Sequence, residues 1–255
     1  MYEEAAGIQR LNRGGENDVA ATISQMGLIN YQMSNCSEAL RLYQEVLWIR
    51  WSIHGEGSNL EVASTLNSIG LVLFKLRENH LALRSFQRCL EMRREILGSD
   101  HRDVSVVLFN IATTYLESGN EEEALKVYKE TIRVERLAHG ERSKEVAFTM
   151  RQVGLLHQDR GDFAKAIHFF RQTLAIQRST VSCSGGGGRA SIVRTLTCLG
   201  NVHLQQGDAN NAVVAYSEAL RLLESDGSSS VIDLAISGLN MYALSKFHPE
   251  CAAAA

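Results

Sequence analysis

Histidines, cysteines and a run of glycines are the residues of this 255-residue chain whose types and spacing suggest chemistry. The glycines, Gly185 to Gly188, are followed by Arg189-Ala190 instead of the Lys-Ser/Thr pair that a phosphate-binding loop requires. His157 and His203 have equivalent sequence surroundings, but no second ligand pair stands at the spacing of a metal site. We therefore expect a flexible linker at the glycines and packing roles for the histidines.

The cysteines give no indication of catalysis. There are five of them without clustered spacing, which is typical of free thiols in a reducing compartment. We expect Cys89 in the core, and Cys198 on an inner face without a neighbour that would activate its thiol. No carboxylate pair, nucleophile elbow or triad order is present in the sequence. The sequence therefore predicts a protein that is not an enzyme and that has no cofactor and no metal.

The composition of the chain argues against nucleic acid and membranes as binding partners. The net charge of −3 argues against nucleic acid as a partner, and no apolar run approaches the roughly eighteen residues of a membrane span. The acidic N-terminus lacks the apolar region of a signal peptide. A single proline among 255 residues favours a helical fold over a loop-rich one. We expect a cytoplasmic protein that neither binds nucleic acid nor inserts into membranes.

A repeat organises the chain. Three kinds of residue return in one phase across five units: a small residue, then an alanine, then an aromatic. The small residues are Gly27, Gly70, Ala112, Gly154 and Gly200; the alanines are Ala39, Ala82, Ala124, Ala166 and Ala212; the aromatics are Tyr43, Phe86, Tyr128, Phe170 and Tyr216. Such a pattern predicts units of one architecture.

Each unit is predicted to contain two helices. Apolar residues from Val62 to Leu73 follow helical spacing, and so do Ala124, Tyr128 and Ile132 in a second segment. Between the two helices stands a turn signal such as Arg160-Gly161-Asp162, in which glycine ends one helix and aspartate caps the next. Small residues in the repeated columns indicate that two antiparallel helices approach closely there, with the aromatic filling the space beside them.

This pattern of small residue, Gly-Asp/Asn turn, alanine and aromatic resembles that of tetratricopeptide repeat (TPR) proteins. The repeat length of about 42 residues is similar to that of kinesin light chains, and Leu97 to Val104 resembles their connection between repeats, with Arg102 in place of proline. The resemblance implies an all-α fold, a right-handed α-solenoid of antiparallel helix pairs in which the first helices line a concave face.

The pattern divides the chain into eight segments. We expect the chain to begin and end inside a repeat, as a segment of a longer protein or an incomplete gene product would. The segments are 1–17, the end of a truncated repeat; 18–58, 59–100, 101–142 and 143–178, repeats 1 to 4; 179–190, a Gly/Ser-rich linker; 191–224, repeat 5; and 225–255, a linker and a truncated repeat 6.

The resemblance assigns a peptide-binding groove to the first helices. Amide side chains suit recognition of a ligand backbone, and two arginines in adjacent units suit an acidic side chain. Phe148 falls in the same inner columns. The predicted groove residues are Gln25, Asn67, Ser68, Lys75, Asn110, Arg151, Gln152, Arg194 and Asn201.

We accordingly predict a protein-interaction scaffold or adaptor that binds a peptide or helical segment, acidic or amphipathic, in this groove. Two alternatives remain open at this point. One is a regulatory or sensor module of a larger protein whose enzyme or nucleotide-binding domain lies outside this segment. The other is a self-association element that uses the incomplete repeats at the ends.

Overall fold

The fold consists of helix pairs. A computed structural model describes residues 15–55, 57–181 and 187–224, and within these residues it contains ten α-helices and no strand. The helices are α1 (Glu16–Gln32), α2 (Cys36–His54), α3 (Leu60–Lys75), α4 (Asn79–Leu97), α5 (Arg102–Glu117), α6 (Glu121–His139), α7 (Lys144–Asp159), α8 (Phe163–Val181), α9 (Gly187–Gln205) and α10 (Ala209–Glu224). The all-α fold predicted from the repeat is confirmed.

Two compact units make up the chain. Unit 1 ends at Val134 and includes α1 to α5 and most of α6; unit 2 begins at Glu135 and includes the end of α6 and α7 to α10. Consecutive helices pair as α1–α2, α3–α4, α7–α8 and α9–α10. In each pair the first helix carries the repeated small residue and the second carries the alanine and the aromatic.

The repeated glycines are the points where paired helices meet. A Cβ atom added to Gly70 would lie 2.5 Å from a ring carbon of Phe86, and one added to Gly154 would lie 2.6 Å from Phe170. Both rings are completely buried. The close-packing role predicted for these columns is therefore confirmed, because any side chain larger than hydrogen would displace the ring that fills the centre of the pair.

The glycines of the turns within the pairs have the predicted conformation. Gly161 and Gly207 adopt positive φ angles of 74° and 77°, which end the first helix in a left-handed conformation. The next residue closes the turn: the Asp162 N–H donates to the His157 carbonyl, and the Asp208 N–H to the His203 carbonyl, both at 2.8 Å. This backbone bond also brings each aspartate carboxylate next to the histidine side chain.

Two helix ends differ from the expected segment boundaries, while the division into segments stays a prediction. Helix α1 begins at Glu16, before the expected boundary at residue 18, and helices extend into both sides of the expected linker 179–190. At the linker, helix α8 runs to Val181, and the Ser179 and Thr180 hydroxyls donate to backbone carbonyls one turn back. Residues 182–186 and the segments 1–14 and 225–255, with the predicted truncated repeats, lie outside the described residues.

Candidate functional site

The predicted groove residues lie on the first helices of the pairs. We call the surface that they form within one unit the first-helix face of that unit. In unit 1 it comprises residues of α1, α3 and α5. Its two predicted asparagines bind each other: the Asn110 amide donates to the Asn67 side-chain oxygen at 3.0 Å, and both residues are half-buried. This bond joins α3 to α5, so these amides link successive repeats of unit 1.

Lys75 also has partners inside unit 1. Its ammonium donates to the Tyr31 carbonyl at 3.1 Å and to the Ser34 hydroxyl at 3.0 Å, and it lies 4.8 Å from the centre of the Tyr31 ring. Tyr31 and Ser34 belong to the preceding helix pair and its turn. Lys75 is thus positioned by the neighbouring repeat through hydrogen bonds and a cation–π contact.

The other two predicted residues of unit 1 differ in their surroundings. The Ser68 hydroxyl donates to the Ser64 carbonyl at 3.1 Å, a bond within its own helix. Gln25 on α1 is exposed to solvent. Most predicted groove residues of unit 1 therefore already take part in contacts that hold the helices or their neighbours in place.

In unit 2 the first-helix face comprises residues of α7 and α9, and it combines an aromatic ring with positive charge. Phe148 on α7 is 47% exposed, which is unusual for a phenylalanine. The Arg151 guanidinium lies over the Phe148 ring, 5.5 Å from its centre. The two residues are one turn apart, so helix geometry places them together on the same face.

Arg151 also reaches α9. It interacts with the Cys198 thiol. Burial raises the pKa of this thiol, and the charge of Arg151 opposes that rise to a smaller extent. Arg194, one helical turn before Cys198, is exposed. Both arginines are therefore first-helix residues of unit 2, and their role in binding stays a prediction.

The remaining predicted residues of unit 2 are Gln152 and Asn201. Gln152 is half-buried on α7. The Asn201 side-chain oxygen accepts a hydrogen bond from the hydroxyl of Tyr216, the aromatic residue that fills the α9–α10 pair. Because this bond satisfies a buried phenol, Asn201 has a structural role in its own repeat.

The paired histidines have the packing role expected of them. His157 and His203 are 6% and 5% exposed, and the Nδ1 atom of each lies 3.4 to 3.5 Å from the aspartate of its turn. Burial is the main reason why the pKa of both histidines is lowered, and the aspartates oppose it. Within the described residues no group of three or more His, Cys, Asp or Glu side chains is arranged to hold a metal ion.

A buried carboxylate escaped sequence analysis. Glu135 on α6 is 6% exposed; the Thr149 hydroxyl donates to its Oε1 at 3.0 Å, while its Oε2 is buried without a hydrogen-bond partner among the described residues. Burial raises the pKa of this carboxyl to about 7. The equivalent positions hold Arg50, Arg93, Gln177 and Leu223, so the residue types of this column give no signal of a buried carboxyl.

None of the described helices combines the length and the apolar character that are needed to cross a bilayer.

Sequence comparison identifies the repeat. A family model of the tetratricopeptide repeat matches residues 61–136 and 122–179. No curated protein matches the chain in sequence.

Several solved structures share the fold. BtubC (BKLC) from P. vanneervenii is 19% identical with a TM-score of 0.75, and the match covers 89% of each chain. A kinesin light chain from Podosopora anserina, with nearly identical TPR-like repeats, is 14% identical with a TM-score of 0.68, covering 82% of this chain and 97% of that one. The apo form of the quorum sensor NprR from B. thuringiensis is 17% identical with a TM-score of 0.69, covering 91% of this chain and 60% of that one. The family model identifies tetratricopeptide repeats in residues 61–179, and the solved structures share the fold of the described helices.

Proposed function

We propose that this protein is an interaction scaffold that binds an acidic peptide segment on the first-helix face of unit 2. The tetratricopeptide repeat fold is consistent with a protein-interaction scaffold. The observation that carries the finer proposal is the cluster of an exposed phenylalanine and two arginines on that face.

The chemistry of the cluster fits such a segment. An arginine held over an aromatic ring presents its guanidinium edge, which binds carboxylates in a bidentate manner. Phe148 offers an apolar surface beside it, which an apolar residue of the ligand would cover. Arg194 adds a second positive charge on the adjacent helix, so a ligand with two spaced carboxylates would contact both repeats.

The test is a pull-down from a lysate of the source cells, analysed by quantitative mass spectrometry. Three proteins are compared: wild type, the double variant Arg151→Glu and Arg194→Glu, and a control with Arg84→Glu and Arg142→Glu. The control residues are exposed, Arg84 on α4 and Arg142 in the turn before α7, and their replacement changes the net charge by the same amount. Melting curves of all three proteins establish that they are folded.

We expect partners with acidic binding segments to be captured by wild type and control and to be lost with the first double variant. Salt should weaken the capture, because exposed charge pairs are screened. Equal capture by all three proteins would contradict the proposal, as would partners whose mapped binding segments carry no acidic residue.

A further inference from the structure

A cavity lies on the other side of the α9 helix, in the last described repeat. It lies between the second helices α8 and α10, with residues of α9 in its lining, and has a volume of about 350 Å³. This is within the size range of small ligand sites. The lining includes apolar residues of all three helices, among them Leu174, Leu199 and Ala215.

The cavity follows from the sequence of the repeat. In the preceding repeat the position of Ala215 is held by Phe169, whose ring stacks on His157 with 5.6 Å between ring centres and 13° between planes. The equivalent pair in the last repeat is Ala215 and His203, so the phenyl ring is missing beside the histidine. Ala175 adds to the space, because its equivalents are the larger Trp48, Glu91 and Arg133.

The rim of the cavity has one positive charge without an acidic partner. Arg178 forms an ion pair with Glu218 at 2.6 Å, and the Asn211 amide donates to Asp208 at 2.6 Å. Arg171 is exposed and has neither a hydrogen bond nor an ion pair with another residue of the described part of the chain. Its charge acts on His203 at the floor, where it helps to lower the pKa of the histidine.

We propose that this cavity is a second docking site, which receives an aromatic side chain from a partner segment that places a carboxylate next to it. The ring would occupy the place that Phe169 fills in the preceding repeat, against His203. The carboxylate would pair with Arg171, which supplies the charge complementarity. The site does not depend on the proposed groove at Arg151 and Arg194, since its lining residues lie on α8, on α10 and on the opposite face of α9.

The probe is the capped tripeptide Glu-Phe-Glu, titrated into the full-length, 15N-labelled protein and followed by backbone amide chemical shifts. Two matched peptides separate the contributions: Gln-Phe-Gln lacks the charges and Glu-Ala-Glu lacks the ring. We expect the amide resonances around the cavity to shift. The dissociation constant should be about tenfold higher for the peptide without the ring. The neutral peptide should bind about fivefold more weakly.

Variants taken from the protein's own repeats test the location. Ala215→Phe copies Phe169 and should abolish the shifts by filling the cavity; Ala215→Val copies Val127 and should reduce affinity to a smaller extent. Arg171→Gln should remove the preference for the acidic peptide while the neutral peptide binds as before. If Ala215→Phe disturbs folding, Ala215→Val still tests the location of the site.

Three results would overturn the inference. One is the absence of shifts around the cavity at millimolar peptide. Another is unchanged binding by folded Ala215 variants. The third is a set of shifts confined to the surroundings of Arg151 and Arg194, which would assign the peptide to the proposed groove and leave that proposal standing.

Discussion

The first-helix faces of the two units use similar residues in different ways. In unit 1, polar side chains bind one another or a neighbouring repeat: Asn110 binds Asn67, and Lys75 binds the turn after α1. In unit 2, Arg151 and Arg194 share a face with the exposed ring of Phe148. The same two columns link successive repeats in both units, through Asn67 and Asn110 in unit 1 and through Arg151 and Cys198 in unit 2. In unit 2 this pair lies beside an exposed aromatic ring and also presents positive charge.

This difference separates positions that stabilise the array from positions that can bind. A half-buried amide pair contributes to the stacking of helices, and its bonds are made before any ligand arrives. An exposed aromatic ring under a guanidinium contributes little to folding and offers apolar area and charge to a partner. We expect stability to depend mainly on unit 1 contacts of this kind and binding to depend on unit 2.

The largest expected effect concerns what both units share, the packing at the repeated glycines. Gly70→Leu in unit 1 and Gly154→Leu in unit 2 should each cost about 3 kcal/mol of stability, because each new side chain would collide with a buried phenylalanine ring. Thermal denaturation measures the cost, with Val106→Leu at a half-exposed helical position as control. An unchanged melting curve for either glycine variant would remove the packing assignment in that unit.

The next prediction compares the two units at the junctions between successive helix pairs. In unit 1, Arg50 and Arg93 donate to backbone carbonyls at the start of the following helix, at 2.8 and 2.7 Å. In unit 2, the equivalent Glu135 accepts from Thr149 and leaves its Oε2 without a partner in the described residues. A protonated carboxyl suits this site better than a carboxylate, because burial penalises the charge.

Glu135→Gln should therefore stabilise the protein at alkaline pH. The folded-state pKa of about 7 lies above the ordinary value of 4.5, so the stability that the protonated carboxyl contributes is complete below pH 4.5 and is lost as the pH rises through 7. We expect the variant to match wild type near pH 5 and to exceed it by about 2–3 kcal/mol near pH 8.5. Urea denaturation at both pH values checks this, and an equal difference at the two pH values would contradict it.

Much of the fold was predictable because the repeat carries redundant information. Gly70, Ala82 and Phe86 are each weak signals, but their return in five units at one spacing predicted the helix pairs and their contact points. The same alignment assigned Arg151 and Arg194 to the first helices of adjacent repeats, and their role in binding stays a prediction. A helix face is periodic, so repeat columns indicate which residues are neighbours.

Other features depend on side-chain geometry, which the aligned positions of the repeat do not indicate. Asn67 and Asn110 were expected to bind a ligand, and only the spacing of α3 and α5 shows that they reach each other. The burial of Glu135 depends on the packing of α7 against the end of α6, and the cavity at Ala215 on the absence of a ring. Composition alone also does not show that helix α8 runs to Val181, within the segment expected as a linker.

The smallest effect concerns the amide pair of unit 1. Asn67→Ala should destabilise the protein by about 1 kcal/mol, because the Asn110 amide loses its acceptor in a half-buried position. Combining it with Asn110→Ala should cost less than the sum of the two single changes, since the second removes the donor left unpaired by the first. Strict additivity in this double-mutant cycle, measured by chemical denaturation, would show that the bond does not couple α3 to α5.

One paired measurement tests the division between the two faces most directly: stability and partner capture recorded on the same two double variants. The account predicts that Asn67→Ala with Asn110→Ala lowers the melting temperature and keeps capture, whereas Arg151→Glu with Arg194→Glu keeps the melting temperature and loses capture. Loss of capture with the asparagine variant at a temperature where it remains folded, together with normal capture by the arginine variant, would contradict it.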